Sequence, residues 1–409
     1  MELRLITRRS RAGLVLHFAA LLLLPLLAAC ATAPAAIEAP PKPDLRTIID
    51  RLVTAPPFDR SLWGIRIEEE DGTILYDRNS QILFQPASNR KLFSAALAAE
   101  CLGLTSRLGT DFYLDGQDVI IRGGGDPSFG AARHESPGFR PFVKALRHRG
   151  ITSVQDVIVD VSAFDRTTIP GSWKMGNLVS TYAAPVDAVA FQENAIGSFA
   201  VADPAIFAGL RLRDALRFAG IAVKGEVRVN TAARTWGEHL ARVESPTVYQ
   251  LLYTVLKNSH NLYAEMLLKA AGGGTYSGAF EREKAMARQV AAIDPRAFRF
   301  VDGSGLSPDD LVAPSAIIQL LRWMNAPSRR GVWWEVLAQP GGEGTLRNRL
   351  ASLSQRVRGK TGTIAGVNAL SGMILMSDGR YRYFAILVNH HTADSATPVI
   401  DRIVQEVAR

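Results

Sequence analysis

Pro86-Ala87-Ser88-Asn89-Arg90-Lys91 runs straight into Leu92-Phe93-Ser94-Ala95-Ala96-Leu97-Ala98-Ala99, and the fold turns on how this stretch is read. An Ala/Leu-rich run is a strong helix former, so the spacing predicts a helix with Ser88 in its first turn and Lys91 three residues later on the same face. A hydroxyl then stands beside an ammonium at the positive end of a helix. Serine is a poor nucleophile until a neighbour takes its proton, and a lysine takes one only when burial and nearby cations lower its pKa. Taken alone, Ser-x-x-Lys fits an N-cap serine with a solvated lysine just as well.

Upstream of this stretch, residues 44–52 have helical spacing with Asp44 as an N-cap, and strand-like runs at 62–67 and 73–76 meet across Asp71-Gly72, a strong hairpin signal. The far end of the chain repeats the pattern: strands at 372–376 and 381–388 flank Asp378-Gly379, and 398–407 reads as a closing helix. Both ends therefore supply pieces of one antiparallel sheet. From about Gly109 to Thr231 the chain shows short strand signals at 119–122, 157–161 and 223–229, punctuated by Gly123-Gly124-Gly125. From Pro246 it turns helical, with a polar break at 258–261. At 409 residues the chain exceeds what one hydrophobic core usually holds, roughly 250 to 300. The simplest architecture is α/β: a domain made from 44–108 and 240–409, interrupted by a mostly β inserted domain, 109–239.

Two further motifs fall in the first domain. Ser259-His260-Asn261 occupies the polar break, where a helix corner would place Ser and Asn in any case. Lys360-Thr361-Gly362-Thr363 lies in a strand-like run, 357–364; it is no phosphate loop, because Ser354 stands where that motif requires glycine. A strand edge offering an ammonium, two hydroxyls and backbone N–H groups suits a bound carboxylate.

Each motif is weak, but Ser-x-x-Lys, Ser-x-Asn and Lys-Thr-Gly in this order form the signature set of penicillin-recognising serine enzymes. The chain resembles the D-alanyl-D-alanine carboxypeptidase/endopeptidases of the penicillin-binding protein 4 type, the class C low-molecular-mass group. Supporting stretches are Gly123-Gly124-Gly125-Asp126-Pro127-Ser128, Asp160-Val161-Ser162-Ala163-Phe164, Tyr182-Ala183-Ala184-Pro185, Asp302-Gly303-Ser304-Gly305-Leu306-Ser307 and Gly341-Gly342-Glu343-Gly344-Thr345-Leu346. The 168 positions between Lys91 and Ser259 fit a group that inserts extra domains there. The insertion is shorter than usual for the group, since Phe191-Gln192-Glu193-Asn194 leads almost at once to 207–229.

The resemblance implies a serine β-lactamase/transpeptidase-like fold, an antiparallel sheet with helices on both faces. It also implies roles. Ser88 attacks the carbonyl between two D-alanines and Lys91 accepts its proton, while the N–H groups of Ser88 and Thr363 hold the oxyanion. Ser259 relays the proton to the departing D-alanine, Asn261 holds the substrate amide and Lys91, and Lys360 with Thr361 or Thr363 binds the terminal carboxylate beside Gly362. Asp160 and Phe164 admit two readings: a pocket for the amino group of a diamino-acid side chain, or a strand-end carboxylate and a core aromatic. Peptidoglycan stem peptides are the implied partners and β-lactams the covalent inhibitors. No equivalent of the glutamate that deacylates class A β-lactamases is found, so penicillin is expected to form a long-lived adduct. Two alternatives stand beside this one: a β-lactamase or esterase on the same scaffold, and a catalytically silent peptidoglycan-binding lipoprotein.

The rest of the composition narrows the class. With 47% hydrophobic and 21% charged residues, 34 Gly and 21 Pro, the chain is neither fibrous nor disordered. Cys30 and Cys101 cannot build a disulfide framework, no zinc-like spacing accompanies them, and no cofactor is called for. Cys101 reads as a small buried hydrophobe, Asp126 as a turn residue, and Asp302 with Ser304 as a turn close to the site. His390-His391 reads as a solvent-facing pair at a strand end. In the net charge of +8, Arg4, Arg8, Arg9 and Arg11 outweigh Glu2 by three, leaving +5 with no basic run, so nucleic acid is not the expected partner. Residues 1–29 have the layout of a lipoprotein signal peptide, ending in Leu27-Ala28-Ala29-Cys30, and an Ala/Pro-rich tether occupies 30–43. Lipidated Cys30 would anchor a periplasmic enzyme to the outer membrane, as the following Ala31 suggests.

Overall fold

The structure, a computed structural model, describes residues 43–409. The signal segment, Cys30 and the tether up to 42 lie outside the described residues. Five strands form a wholly antiparallel first sheet, in the order Val357–Ile364, Val367–Leu375, Tyr381–Asn389, Leu62–Glu69 and Ile74–Arg78. The two Asp-Gly turns close as the sequence indicates: Gly72 and Gly379 take φ of 95° and 83°. Asp71 and Asp378 each accept a hydrogen bond from the backbone two residues on.

Alternation along the central strand divides the interior. Phe384, Ile386 and Val388 face one layer with Ile49, Val53, Ile400 and Val404, from the helices Leu45–Thr54 and Thr397–Val407. Tyr383, Ala385 and Leu387 face the other, with Leu251, Ile317 and Leu321 of the helices Val248–Lys257 and Pro314–Met324. The sheet is thus covered by helices on both faces. At the centre of the larger layer runs the helix Lys91–Leu102, buried from Lys91 through Ala98, where alanines let neighbouring helices approach closely.

Residues 107–247 build a second five-stranded sheet, ordered Val227–Asn230, Val157–Asp160, Asp118–Gly123, Arg107–Asp115 and Glu238–Thr247. Its pairing is mixed, parallel on both sides of Val157–Asp160 and antiparallel beyond Asp118–Gly123. Two helices that the sequence reading did not assign, Arg140–His148 and Pro204–Phe218, pack into its core. The single strand expected at 223–229 resolves into two, Ala222–Val223 and Val227–Asn230. The break falls at Gly225, where a Cβ would come within 1.9 Å of Asp156 Oδ1. Between Asn194 and Pro204 the chain makes only the two-residue strands Ala195–Ile196 and Phe199–Ala200. Cys101 is exposed, contrary to expectation, because it sits in the last turn of its helix, beyond the fully buried segment.

One buried ion pair fixes how the central helix begins. Arg90 donates to both carboxylate oxygens of Glu283 (2.6 and 3.1 Å) and to the carbonyl of Asp302 (2.8 Å), with its guanidinium 3.9 Å from the Phe300 ring centre. Neither side chain reaches solvent. Removing one partner strands a buried charge, so Arg90→Met is expected to cost about 3 to 5 kcal/mol in a urea unfolding experiment. Arg90→Met combined with Glu283→Leu is expected to recover most of that loss, which a double-mutant cycle reads directly.

Candidate active site

Ser88 lies in a tight 3₁₀ turn, Ala87–Arg90, and the helix proper starts at Lys91. The expected first-turn position is therefore displaced by one element. The cause is Ala87, held at φ 45° in the left-handed region that a residue with a side chain enters at a cost. Two glycines grip this turn. A Cβ on Gly305 would come 1.9 Å from the carbonyl oxygen of Ala87, and one on Gly362 would come 2.7 Å from that of Pro86. Only backbone fits on either side of the serine.

Lys91 is fully buried, and its ammonium donates to three acceptors: Ser88 Oγ (2.9 Å), Asn261 Oδ1 (2.6 Å) and the carbonyl of Ser304 (2.6 Å). Burial lowers its pKa to about 7, against the opposing pull of Asp302, Glu265 and Asp310. The turn that supplies the Ser304 carbonyl is tied by Asp302, which accepts from the N–H groups of Ser304, Gly305 and Ser307 and from Trp173 Nε1. Burial and the charge of Asp302 hold Asp310 well above the usual carboxylate range. Asn261 also donates from Nδ2 to the carbonyl of Tyr182 (2.7 Å), bridging the lysine to a loop from the second sheet.

Ser259 sits in left-handed backbone (φ 61°), and its Oγ accepts from Lys360 Nζ at 2.8 Å. Lys360 is itself fully buried behind the cleft, bonded also to the carbonyl of Thr361. Its pKa falls well below that of an ordinary lysine because of burial and the neighbouring Lys91. Thr361 turns its hydroxyl to Thr345 (2.8 Å), while Thr363 lines the cleft and accepts from Asn368 Nδ2 (3.1 Å). The strand Val357–Ile364 is the edge of the first sheet, and alternate residues send their amides to the same side. Gly359 exchanges both backbone hydrogen bonds with Ala338 on the outer side, so the N–H of Thr363 also points outward, over the cleft. The cleft has a volume of about 600 Å³, with Ser88, Ser259, Asn261 and Thr363 converging on it.

Asp160 and Phe164 are not among the residues lining this cleft. Asp160 is fully buried; its Oδ2 accepts from Trp236 Nε1 (2.6 Å) and its Oδ1 from Ser162 N and Asn230 Nδ2. Phe164 is buried against Gly125 and 5.1 Å from the ammonium of Lys269. Both side chains thus lie off this cleft, with the hydrogen bonds of a strand-end carboxylate and the packing of a core aromatic. Asp126 is a turn residue, bonded to Ser128, but also buried, which pushes its pKa up to about 6. The histidine pair divides, with His390 on the cleft and His391 buried and bonded to the carbonyl of Ala393.

Sequence reasoning gave no role to several residues that belong here. Lys174, Asn177 and Tyr182 line the cleft from the segment after the second sheet's core. Gln192, Glu193 and Asn194 are three consecutive residues in left-handed backbone, and they aim Glu193 at the middle of the second motif. Its carboxylate accepts from Arg133 (2.5 Å) and Tyr263 Oη (2.9 Å) and lies 3.6 Å from His260 Nε2. Burial pushes that carboxyl up, yet His260 and Arg133 hold it at about 2. His260, flanked by Ser259 and Asn261, thus faces a carboxylate across 3.6 Å. The signal for this was the stretch Phe191-Gln192-Glu193-Asn194, which in the sequence marks where the insertion is short and carries no chemical role.

Comparison with known proteins agrees with this geometry. The model of the D-Ala-D-Ala carboxypeptidase 3 (S13) family matches residues 45–198 and 192–409. A D-alanyl-D-alanine carboxypeptidase of Actinomadura sp. (strain R39) is 25% identical, covering 89% of this chain and 84% of its own. Among solved structures, penicillin binding protein 4 of Haemophilus influenzae superimposes with a TM-score of 0.78 at 20% identity, covering 88% of this chain and 97% of its own. The same protein complexed with a β-lactam gives a TM-score of 0.71 at 21% identity over the same shares.

A lysine with a pKa of about 7 is readable by itself. In an NMR titration with ε-¹³C lysine, a resonance with a midpoint of about 7 is expected, and it is expected to vanish in Lys91→Met. A midpoint near 10 for every lysine would contradict the burial argument.

Proposed function

The chain belongs to the D-Ala-D-Ala carboxypeptidase 3 (S13) family, and on that premise we propose the residues that carry its reaction. The enzyme is a serine DD-peptidase, hydrolysing D-Ala-D-Ala termini of peptidoglycan peptides through an acyl-enzyme. The observation that carries the assignment is the 2.9 Å contact of Lys91 Nζ with Ser88 Oγ, made by a lysine whose pKa burial lowers to about 7. Neutral Lys91 takes the proton as Ser88 Oγ attacks the penultimate carbonyl. The N–H groups of Ser88 and Thr363 stabilise the oxyanion. Ser259 passes a proton to the leaving D-alanine, and Asn261 keeps Lys91 aligned and offers its amide to the substrate. Lys360 acts from behind, polarising the Ser259 hydroxyl, while the Thr363 hydroxyl meets the terminal carboxylate. Water then cleaves the ester.

We take the residues up to 106 and from 248 as the catalytic domain and 107–247 as its insertion, because the boundaries expected at 109 and 240 would cut the strands Arg107–Asp115 and Glu238–Thr247 of the second sheet. Among the described residues no helix is long and apolar enough to cross a membrane. The work is done outside the cytoplasm, in the periplasm, and lipidated Cys30 would tie the enzyme to the outer membrane. The mass of the membrane-extracted protein tests that anchor, since an unmodified N-terminus excludes it.

Ser88→Ala is expected to abolish both labelling by a fluorescent penicillin and release of D-alanine from a pentapeptide, with thermal stability kept. In the unsubstituted enzyme the label is expected to persist over many minutes. Rapid loss of label with turnover of free drug would point instead to a β-lactamase. Below pH 7 the labelling rate is expected to fall about tenfold per pH unit, because only neutral Lys91 serves as base and its fraction shrinks as pH drops through its pKa.

A further inference from the structure

A second cavity, a groove of about 730 Å³, opens on the second sheet's side of the molecule and shares no lining residue with the active-site cleft. It runs between the helix Arg140–His148 and the last turn of Pro204–Phe218. Its floor is apolar, with Phe139, Val143 and Phe191, and Phe218, 97% exposed, forms the far lip. Arg140, Lys144 and Arg147 stand at helical spacings of four and three along one wall, with His148 beside them. No carboxylate lines the groove. The ion pairs of this helix stop at Arg149, bound to Glu238, and none among the described residues reaches Lys144 or Arg147. Cations in the last turn suit a helix dipole, but Arg140 opens the helix, where a cation opposes it. The helix dipole therefore does not account for the whole row.

We propose that this groove is an exosite for a second carboxylate-bearing stem peptide of the polymeric substrate. The proposal rests on the DD-peptidase reading for the identity of the polymer. Three features select a peptide. The cations supply charge complementarity to its carboxylates, the recessed aromatic floor accepts aliphatic side chains, and the concave shape holds a chain segment. A flat bilayer would meet Phe218 but would not reach Phe139 or Phe191, both almost wholly buried. Because such a polymer repeats the same peptide along each strand, one stem in the groove raises the effective concentration of its neighbours at Ser88.

The test compares the enzyme with Lys144→Glu/Arg147→Glu and with the milder Lys144→Gln/Arg147→Gln. Isolated insoluble peptidoglycan, a soluble pentapeptide and anionic phospholipid vesicles serve as probes. Labelling by fluorescent penicillin and turnover of the pentapeptide are expected to stay unchanged in both variants, which also certifies their folding. Co-sedimentation with peptidoglycan and cleavage of the polymer are expected to fall about tenfold with charge reversal, less with the glutamines, and to weaken with salt. Equal co-sedimentation of enzyme and variants would overturn the proposal, and so would a loss confined to vesicle binding, which would mark a membrane contact. Co-sedimentation is repeated on Ser88→Ala, so a failure of the peptidase reading shows in labelling and turnover while the groove is still scored by binding.

Discussion

Burying the ammonium of Lys91 is the constraint on which the rest of the molecule depends. A buried unpaired cation costs several kcal/mol, so its position is tenable only where acceptors surround it. Those acceptors come from three separate parts of the chain: the Ser88 turn, Asn261 at a helix start, and the carbonyl of Ser304. Each must be delivered by packing that is itself secure. Arg90 and Glu283 lock the turn, Asp302 ties the loop, and the Tyr182 carbonyl steadies Asn261. The result is a lysine left with enough desolvation to be a base near neutral pH and enough hydrogen bonds to stay in place. Lys360 repeats the device one layer back, where burial and the neighbouring Lys91 lower its pKa.

Strain and close contact do the rest of the positioning. Ala87 and Ser259 occupy left-handed backbone on opposite sides of the cleft, and Gly305 and Gly362 bring plain backbone against the nucleophile's turn. A turn squeezed on two sides has little freedom to relax, which is the preorganisation a developing oxyanion needs. Replacing Gly305 would press on the peptide group that joins Ala87 to Ser88, and replacing Gly362 on the carbonyl of Pro86 one peptide earlier.

Much of this was legible in the sequence, and the limits have physical causes. The terminal hairpins were readable because Asp-Gly turns and period-2 alternation are local. The three motifs were readable because their order restricts them jointly, although each alone is common. The helix Pro204–Phe218 had its signal, Asp203 as N-cap with Pro204 behind it, and was missed because strand signals dominated the region. Asp160 could not be judged from its neighbours. Its partners Trp236 and Asn230 lie 76 and 70 residues away, and only the folded sheet shows the carboxylate already spoken for. Nor does any local pattern foretell left-handed Ala87, which is imposed by the glycines packed against it from remote segments.

The strand Leu62–Glu69 lies inside the first sheet, with Tyr381–Asn389 as its neighbour in full register. A chain emerging from its amino end can close the second sheet early, since residues 107–247 supply all of it. The first sheet must wait for Tyr381–Asn389. Until then Leu62–Glu69 has only its hairpin partner, and the strand bearing Lys360 has no neighbour beyond its own hairpin. A chain stopped before Tyr381 therefore carries all three motifs while its first sheet is still two separate hairpins.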